Sequence, residues 1–484
     1  MDGESTSARL TGPNELRNRA SLSAYSTIIQ GGARLGFSVL VGRLGSRELL
    51  GQTNSSLSIA VLASQLGAAS TAQAGVRFVS QSKTLGDDDG AARIGRHIAN
   101  RLAMLALIVP TTAALVASLF LGFDSRQIIV TMVLAWAYAM YSALRGIQFG
   151  RLGFRHVAFW DTVAAGTTLL TTVLVLTLDL TDLALLPLTL GYLLFAVASW
   201  PARVASRVER DLRRTIDKFI AYGTIATIAS GGLLQASQIA ARYLAGSAGA
   251  GDYAAALSLA TPASMLSVAL STVIVPPLVA AAGRGDRLAV RHHADLILRR
   301  LTTIFVGVFG VLILASPIGI AVFYGVAFEQ SAALLPVLLL AVMLMSISLG
   351  AATALQSTQS RGPRIVAILN VAGLLVSLVT WSVLGSAYGT MGVAVGFLVG
   401  SLVTSVALVA VAWRVERQHW GDLLVRFLSG TVLFTILAVV TRDVPGVAGR
   451  VAQLCAVLFF ALVWGAMMRR DVLALWRTVR GTTK

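Results

Sequence analysis

The chain has 484 residues, of which 56% are hydrophobic and 13% charged, with a mean hydropathy of +0.77. Ordinary soluble domains carry roughly a quarter charged residues, so this composition excludes a soluble enzyme. The 39 Lys and Arg against 22 Asp and Glu leave +17, which on a soluble chain would suggest nucleic acid, and the lone Cys455 excludes a disulfide framework or a cysteine-rich zinc site.

A helix needs about 20 apolar residues to cross the hydrocarbon core. In chain order such runs lie near 22–42, 54–79, 98–122, 126–149, 157–178, 182–202 and 217–241, then 252–281, 301–324, 331–356, 364–386, 390–412, 424–441 and 449–468. The reading is an all-α polytopic membrane protein of about fourteen transmembrane helices. The first 20 residues are polar and carry Asp2, Glu4 and Glu15, which suits a cytoplasmic tail better than a secretory signal. The expected organisation is a tail over 1–20, a six-span lobe over 21–203, a cytoplasmic linker over 204–216 and a second six-span lobe over 217–413. Two further spans fill 414–468, and a cytoplasmic tail covers 469–484.

An even number of crossings puts both termini on one side, and the cations test which side that is. With cytoplasmic termini, the inner face receives 32 of the 39 basic residues and 15 of the 22 carboxylates. The outer face holds Arg43, Arg47, Arg126, Arg242, Arg442 and Arg450, and Arg34 alone stands in mid-span. Topology therefore absorbs the positive excess, and anionic membrane lipids replace nucleic acid as its expected partner.

Shifted by 200 positions, the chain matches itself at Thr27, Ile28, Gly31, Gly32, Leu44, Gly51, Leu57, Ser58, Ala60, Ala63, Ser64, Leu66, Ala69 and Val79. Those are 14 identities in 53 ungapped positions, against about 4 or 5 expected from composition alone. A weaker echo at an offset of 209 pairs Gly153, Arg155, Val157 and Ala158 with Gly362, Arg364, Val366 and Ala367, and sets Asp161 opposite Asn370. Both halves would start on the inside, which predicts a parallel repeat around a central cavity.

Polar groups in the first span, Ser23, Thr27, Gln30, Arg34 and Ser38, fall on one helical face, as do Thr224, Thr227, Gly231, Gln235, Gln238 and Arg242 in the seventh. Asn54, Ser58 and Gln65 share a face of the second span. Lipid satisfies none of these groups, so the faces should meet protein or a wet cavity. A mid-span Arg costs at least about 2.5–3.5 kcal/mol and is a functional candidate by default, although a buried pair is its structural alternative. No mid-span carboxylate stands out as its partner, Asp161 lying a few residues from the inner edge. Guanidinium suits phosphate oxygens, which predicts a phosphate-bearing substrate. Arg242 could simply be solvated at the outer face, and Gln235 and Gln238 could only bridge helices. No phosphate-binding GxxxxGK[ST] loop and no HExxH occurs, all five histidines lie at the inner face, and no cofactor or metal is expected.

The segment over 40–80, Leu-Val-Gly-Arg-Leu-Gly-Ser-Arg-Glu-Leu-Leu-Gly-Gln with the later Ser-Leu-Ser-Ile-Ala and Gln-Leu-Gly-Ala-Ala, resembles the opening hairpin of Wzx-type polysaccharide flippases. These belong to the multidrug/oligosaccharidyl-lipid/polysaccharide (MOP) exporter superfamily. Arg242-Tyr243-Leu244 with Gly251-Asp252-Tyr253, and Gln359-Ser360-Arg361-Gly362-Pro363-Arg364, resemble two further patterns of that family, though Ala241 stands where an Asp is frequent. The resemblance implies a non-enzymatic flippase in the bacterial inner membrane. It would turn a polyprenyl-pyrophosphate-linked oligosaccharide outward, with a polysaccharide polymerase or glycosyltransferases as partners. Arg34 would meet the pyrophosphate, Arg242 would assist, and Gln30, Gln65, Gln235, Gln238 and Asn370 would line the cavity. The alternatives are a lipid II flippase, whose usual Ser-Arg-x-x-Gly-x-x-Arg-Asp run is absent, and a cation-coupled multidrug exporter, which usually carries acids within its lobes. A non-transporting scaffold is a third class, disfavoured by the paired polar stripes.

Overall fold

The computed structural model describes residues 13–201, 208–283, 287–358, 361–416, 421–442 and 446–469. Residues 1–12 of the expected tail over 1–20, 470–484 of that over 469–484, 204–207 of the linker over 204–216, and Gln359 and Ser360 lie outside them, as do the side chains of 225–231. The described residues form helices and turns, with no strand among them.

In chain order the helices begin with α1 (Pro13–Leu44), α2 (Arg47–Gln65), α3 (Ala68–Ala74), which runs through a π turn at Gly75–Val79 into α4 (Ser80–Thr84), and α5 (Asp88–Leu121). Next are α6 (Ser125–Gly150), α7 (Phe154–Thr177), α8 (Leu186–Ala198), α9 (Arg210–Gly283), α10 (Arg287–Leu314) and α11 (Ser316–Phe323). The chain continues as α12 (Glu329–Thr358), α13 (Gly362–Thr380), α14 (Ser386–Glu416), α15 (Gly421–Arg442) and α16 (Gly446–Met467). Caps fix several starts. The Ser46, Asp87 and Asp124 side chains accept the backbone N–H of Leu49, Gly90 and Gln127, at 3.1, 2.7 and 2.7 Å.

Eight helical segments among the described residues are long and apolar enough to cross a bilayer. One of them, Gly362–Arg414, holds two expected spans, with the left-handed Gly389 between them. α1 and α2 are outside this set although both lie on expected spans. Their polar residues dilute the apolar signal that such a test reads. Other boundaries move as well: the second expected span breaks at Leu66–Gly67, and the first helix starts at Pro13, inside the stretch read as a tail.

Contacts divide the chain into two compact units, residues 1–41 with 55–235, and residues 42–54 with 236–484. In the first unit α6 is the hub, touching α3, α5, α7 and α8. Its Gly146 and Gly150 let the α3–π segment lie directly on its backbone. A Cβ on Gly146 would sit 2.5 Å from the Ala72 carbonyl oxygen, and one on Gly150 would sit 2.3 Å from that of Gly75. Small residues four apart are how membrane helices approach this closely. The start of α9 docks Ile216 and Ile220 into the same core, beside Phe78, Ile98 and Leu102.

In the second unit α10, α12 and α14 pack in series, α13 lies on α14, and α15 and α16 pack on α10. The hairpin 42–54 belongs to this unit, where the 200-residue repeat becomes visible. α9 is two helices joined at the left-handed Gly246, the repeat position of Ser46, which caps α2. The helix after each break meets the other at its glycine. A Cβ on Gly51 would lie 1.9 Å from the Ser247 carbonyl oxygen, and one on Gly251 would lie 2.0 Å from that of Arg47. Residues 47 and 51 thus exchange contacts with 247 and 251, the reciprocity expected of two related segments around a local two-fold. Arg47 also pairs with Asp252 at 3.7 Å, and the Arg43 guanidinium donates to the Phe323 carbonyl at 2.9 Å, at the end of α11.

Gly150→Val should cost about 1–3 kcal/mol or more, because rigid backbone, not a side chain, occupies the space of the new Cβ. Gly166→Ala, where a Cβ meets nothing within 4 Å, should hold or raise stability by up to about 1 kcal/mol. Thermal unfolding of the two purified variants in detergent checks the contrast.

Candidate functional site

The polar stripe of α1 has two fates. The Thr27 hydroxyl donates to the Ser23 carbonyl at 3.0 Å, the usual intrahelical solution in lipid. Asn54 and Asn370 do the same, donating to Leu50 and Val366 at 3.2 and 2.8 Å. Ser26, Gln30 and Arg34 face a cluster built by α6, α7 and α8, which Thr27 also joins by accepting from Arg145 Nη2 at 3.3 Å.

α6 supplies Tyr138, Tyr141 and Arg145, at spacings of three and four that place them on one face. α7 supplies Asp161 and α8 supplies Tyr192. The Asp161 carboxylate accepts hydrogen bonds from Ser26 Oγ, from Tyr141 Oη at 2.8 Å and from Arg145 Nε at 3.1 Å. Arg145 also donates to Ser26 Oγ at 2.7 Å, and the two side chains of the ion pair are 17% and 1% exposed. The carboxylate is thus fully partnered, and one guanidinium neutralises it. Tyr141 packs tilted against Tyr192 and edge-on against Phe195, with centroids 5.0 and 4.8 Å apart.

Arg34 enters the same cluster from the other side. Its Nε donates to Tyr192 Oη at 2.9 Å, and its guanidinium lies 4.8 Å from the Tyr138 ring centroid and 5.8 Å from that of Tyr192. Its buried Nη2 has no hydrogen-bond partner among the described residues, and neither has the buried Nε2 of Gln30. A small cleft of about 20 Å³, room for about one water-sized group, opens here, lined by Gln30, Arg34, Tyr141, Asp161, Thr168 and Tyr192 on its polar side and by Ala33, Ala164, Ala165, Leu188 and Gly191 elsewhere. Cation–π contacts are worth about 0.5–2 kcal/mol each, below the cost of bringing a guanidinium out of water. Among the described residues the site is left with one positive charge that no carboxylate balances and two donors without a partner.

Asp161, expected a few residues from the inner edge, lies seven residues into the Phe154–Thr177 helix and is buried. Its partner is Arg145, expected among the inner-face cations and here 17% exposed in the ion pair. The face Tyr138, Tyr141, Arg145 was readable from its spacing, whereas Tyr192 had no sequence signal.

Of the seven expected site residues, the cleft brings together Gln30 and Arg34. Gln65 ends α2 and is half-buried, and Gln235 is half-buried on α9. The buried Gln238 donates to the Ala250 carbonyl at 3.1 Å across the Gly246 break, a helix-bridging role. Arg242 is half-buried, and its Nε has no hydrogen-bond partner among the described residues. No cluster of three or more His, Cys, Asp or Glu suited to a metal occurs among the described residues.

The apolar helices define a multi-pass membrane protein, and its fold is one already seen in transporters. The chain aligns with the lipid II flippase MurJ in an inward closed conformation, with a TM-score of 0.68 and 15% identity, over 94% of this chain and 100% of the other. It aligns with an inward-facing multidrug resistance MATE family transporter of the MOP superfamily at a TM-score of 0.62 and 15% identity, over 86% and 98%. A MOP superfamily transporter from Pyrococcus furiosus, whose binding pocket is described as reversed in polarity and suggestive of a different function, aligns at 0.60 and 15% over 84% and 96%. No protein-family model and no curated protein sequence matches the chain. The likeness is one of fold.

Asp161→Asn removes the charge that balances Arg145 and should destabilise the protein by about 3–5 kcal/mol, since it strands a buried cation. Asp161→Asn with Arg145→Met should recover most of that loss. Unfolding midpoints in detergent for the single and double variants test this.

Proposed function

We propose that the chain is a flippase. It turns a polyprenyl-pyrophosphate-linked oligosaccharide from the inner to the outer leaflet by alternating access, for cell-surface polysaccharide biosynthesis. Fourteen crossings, two six-helix lobes followed by two C-terminal helices, cytoplasmic termini and a bacterial inner-membrane location complete the reading. The chain transports and does not catalyse. A polysaccharide polymerase or glycosyltransferases stand on either side of it, supplying the lipid-linked substrate or consuming it.

The observation that carries the reading is the unpaired Nη2 of Arg34 in a cleft whose one carboxylate is already neutralised. A site with net positive charge favours an anionic headgroup and repels the organic cations of a drug exporter. Guanidinium binds phosphate oxygens bidentately. Amides and hydroxyls such as those of Gln30 and Thr168 then meet sugar or phosphate oxygens. The lipid II flippase is the second reading, supported by the alignment over the full length of MurJ and by the same headgroup chemistry. A cation-coupled multidrug exporter, the third, has the fold in its favour and the charge of the cleft against it.

Translocation in proteoliposomes separates the three. Wild-type protein should move a fluorescent polyprenyl-pyrophosphate oligosaccharide, and Arg34→Ala should slow it by about 10–100-fold, the worth of one charge-assisted hydrogen bond. Movement of lipid II in place of that substrate would shift the assignment to the second reading. Efflux of an organic cation without lipid movement would overturn the anionic-substrate reading altogether.

A further inference from the structure

Arg34 Nη2 and Gln30 Nε2 are buried donors one helical turn apart, and neither has a partner among the described residues. Around them the charges are Arg34, Arg145 and Asp161, and the carboxylate is spent on Ser26, Tyr141 and Arg145. Ala33, Ala164, Ala165 and Gly191 keep the remaining wall small. Water in the cleft would answer the two donors and leave the charge uncompensated. A cation would raise the cost further. An acceptor-only group of one negative charge answers both, and a buried guanidinium is stable chiefly when such a counter-charge is present.

We infer that the cleft of the first unit holds a small, exchangeable inorganic anion, chloride or phosphate, on Arg34 and Gln30 when no substrate is bound. The cluster charge carries the resident ion by itself. Its link to transport rests on the reading above: the phosphate of the headgroup takes over the same two donors and releases the resident ion, so loading is an anion exchange and the site is never left as a bare buried cation. Tyr192, hydrogen-bonded to Arg34 Nε, acts as a positioning residue that keeps Nη2 aimed into the cleft.

The test uses full-length protein in nanodiscs of neutral lipid, with no lipid-linked substrate. Radiolabelled chloride is titrated at constant ionic strength in gluconate, and inorganic phosphate is titrated as a competitor and, labelled, as a ligand in its own right. One saturable site per chain is expected. Arg34→Gln should abolish it, Gln30→Leu should weaken it by about tenfold or more, and the surface variant Arg126→Gln should leave it unchanged. Tyr192→Phe, which keeps the ring, should weaken binding while the protein remains monodisperse. Saturable binding of chloride identifies that ion, and binding of phosphate alone identifies the other. Absence of both in folded wild-type protein overturns the inference, as does binding undiminished in both Arg34→Gln and Gln30→Leu. Lipid translocation without anion binding would remove the resident ion and keep the flippase, whereas anion binding without lipid translocation would keep the ion and remove the flippase.

Discussion

The hydrocarbon core offers no hydrogen bonds, so every polar group carried into it must be answered by the protein itself. The buried Asp161–Arg145 pair is where this constraint bears hardest on the first unit. It uses α1, α6 and α7 at once, through Ser26, Tyr141, Arg145 and the carboxylate, and so fixes the walls of the cleft. Because the acid is consumed by Arg145, it does not answer Arg34. A neutralised ion pair and a second guanidinium with no carboxylate bonded to it among the described residues thus share one small cluster. The same constraint explains why α6 carries two tyrosines whose hydroxyls or rings meet ionic groups, and why Thr27, Asn54 and Asn370 turn their polar atoms back onto their own helices.

The segments related by the expected repeat agree in some features and differ in others. Where backbones touch, the repeat positions 51 and 251 are both glycine and exchange contacts reciprocally. Where charge is concentrated, the copies have parted. Carrying the 209-residue offset back into α6 sets Ala354 opposite Arg145 and Gly350 opposite Tyr141, and Asn370 stands opposite Asp161. At those positions there is no counterpart of the ionic cluster, and Asn370 donates to the Val366 carbonyl within its own helix instead. Close packing permits little variation, because a methyl group would enter backbone. A cavity wall tolerates substitution provided that a buried charge and its partner change together.

Shared fold with both lipid flippases and drug exporters leaves substrate class to the site. An acid alone within a lobe would attract cations. An acid matched by one arginine and accompanied by a second reverses that preference, and the preference therefore depends on how three side chains pair and not on which residues the spans contain.

The long apolar runs and the arginine buried within the first helix were legible in the sequence, because each is set by solvation energies that act on residues one at a time. The breaks at Gly246 and Gly389 coincide with the short polar gaps between expected spans for the same reason. The sequence alone did not reveal that Arg145, five residues from the end of α6, is buried beside Asp161, nor that Tyr192 would receive Arg34. It also did not separate Gln30, which faces the cleft, from Gln238, which bridges helices. Those outcomes were decided by tertiary structure, since a polar residue in a span has the same composition and spacing whether it meets a partner, its own helix or an open cleft. Only the neighbours brought by α6, α7 and α8 determine which of these it meets.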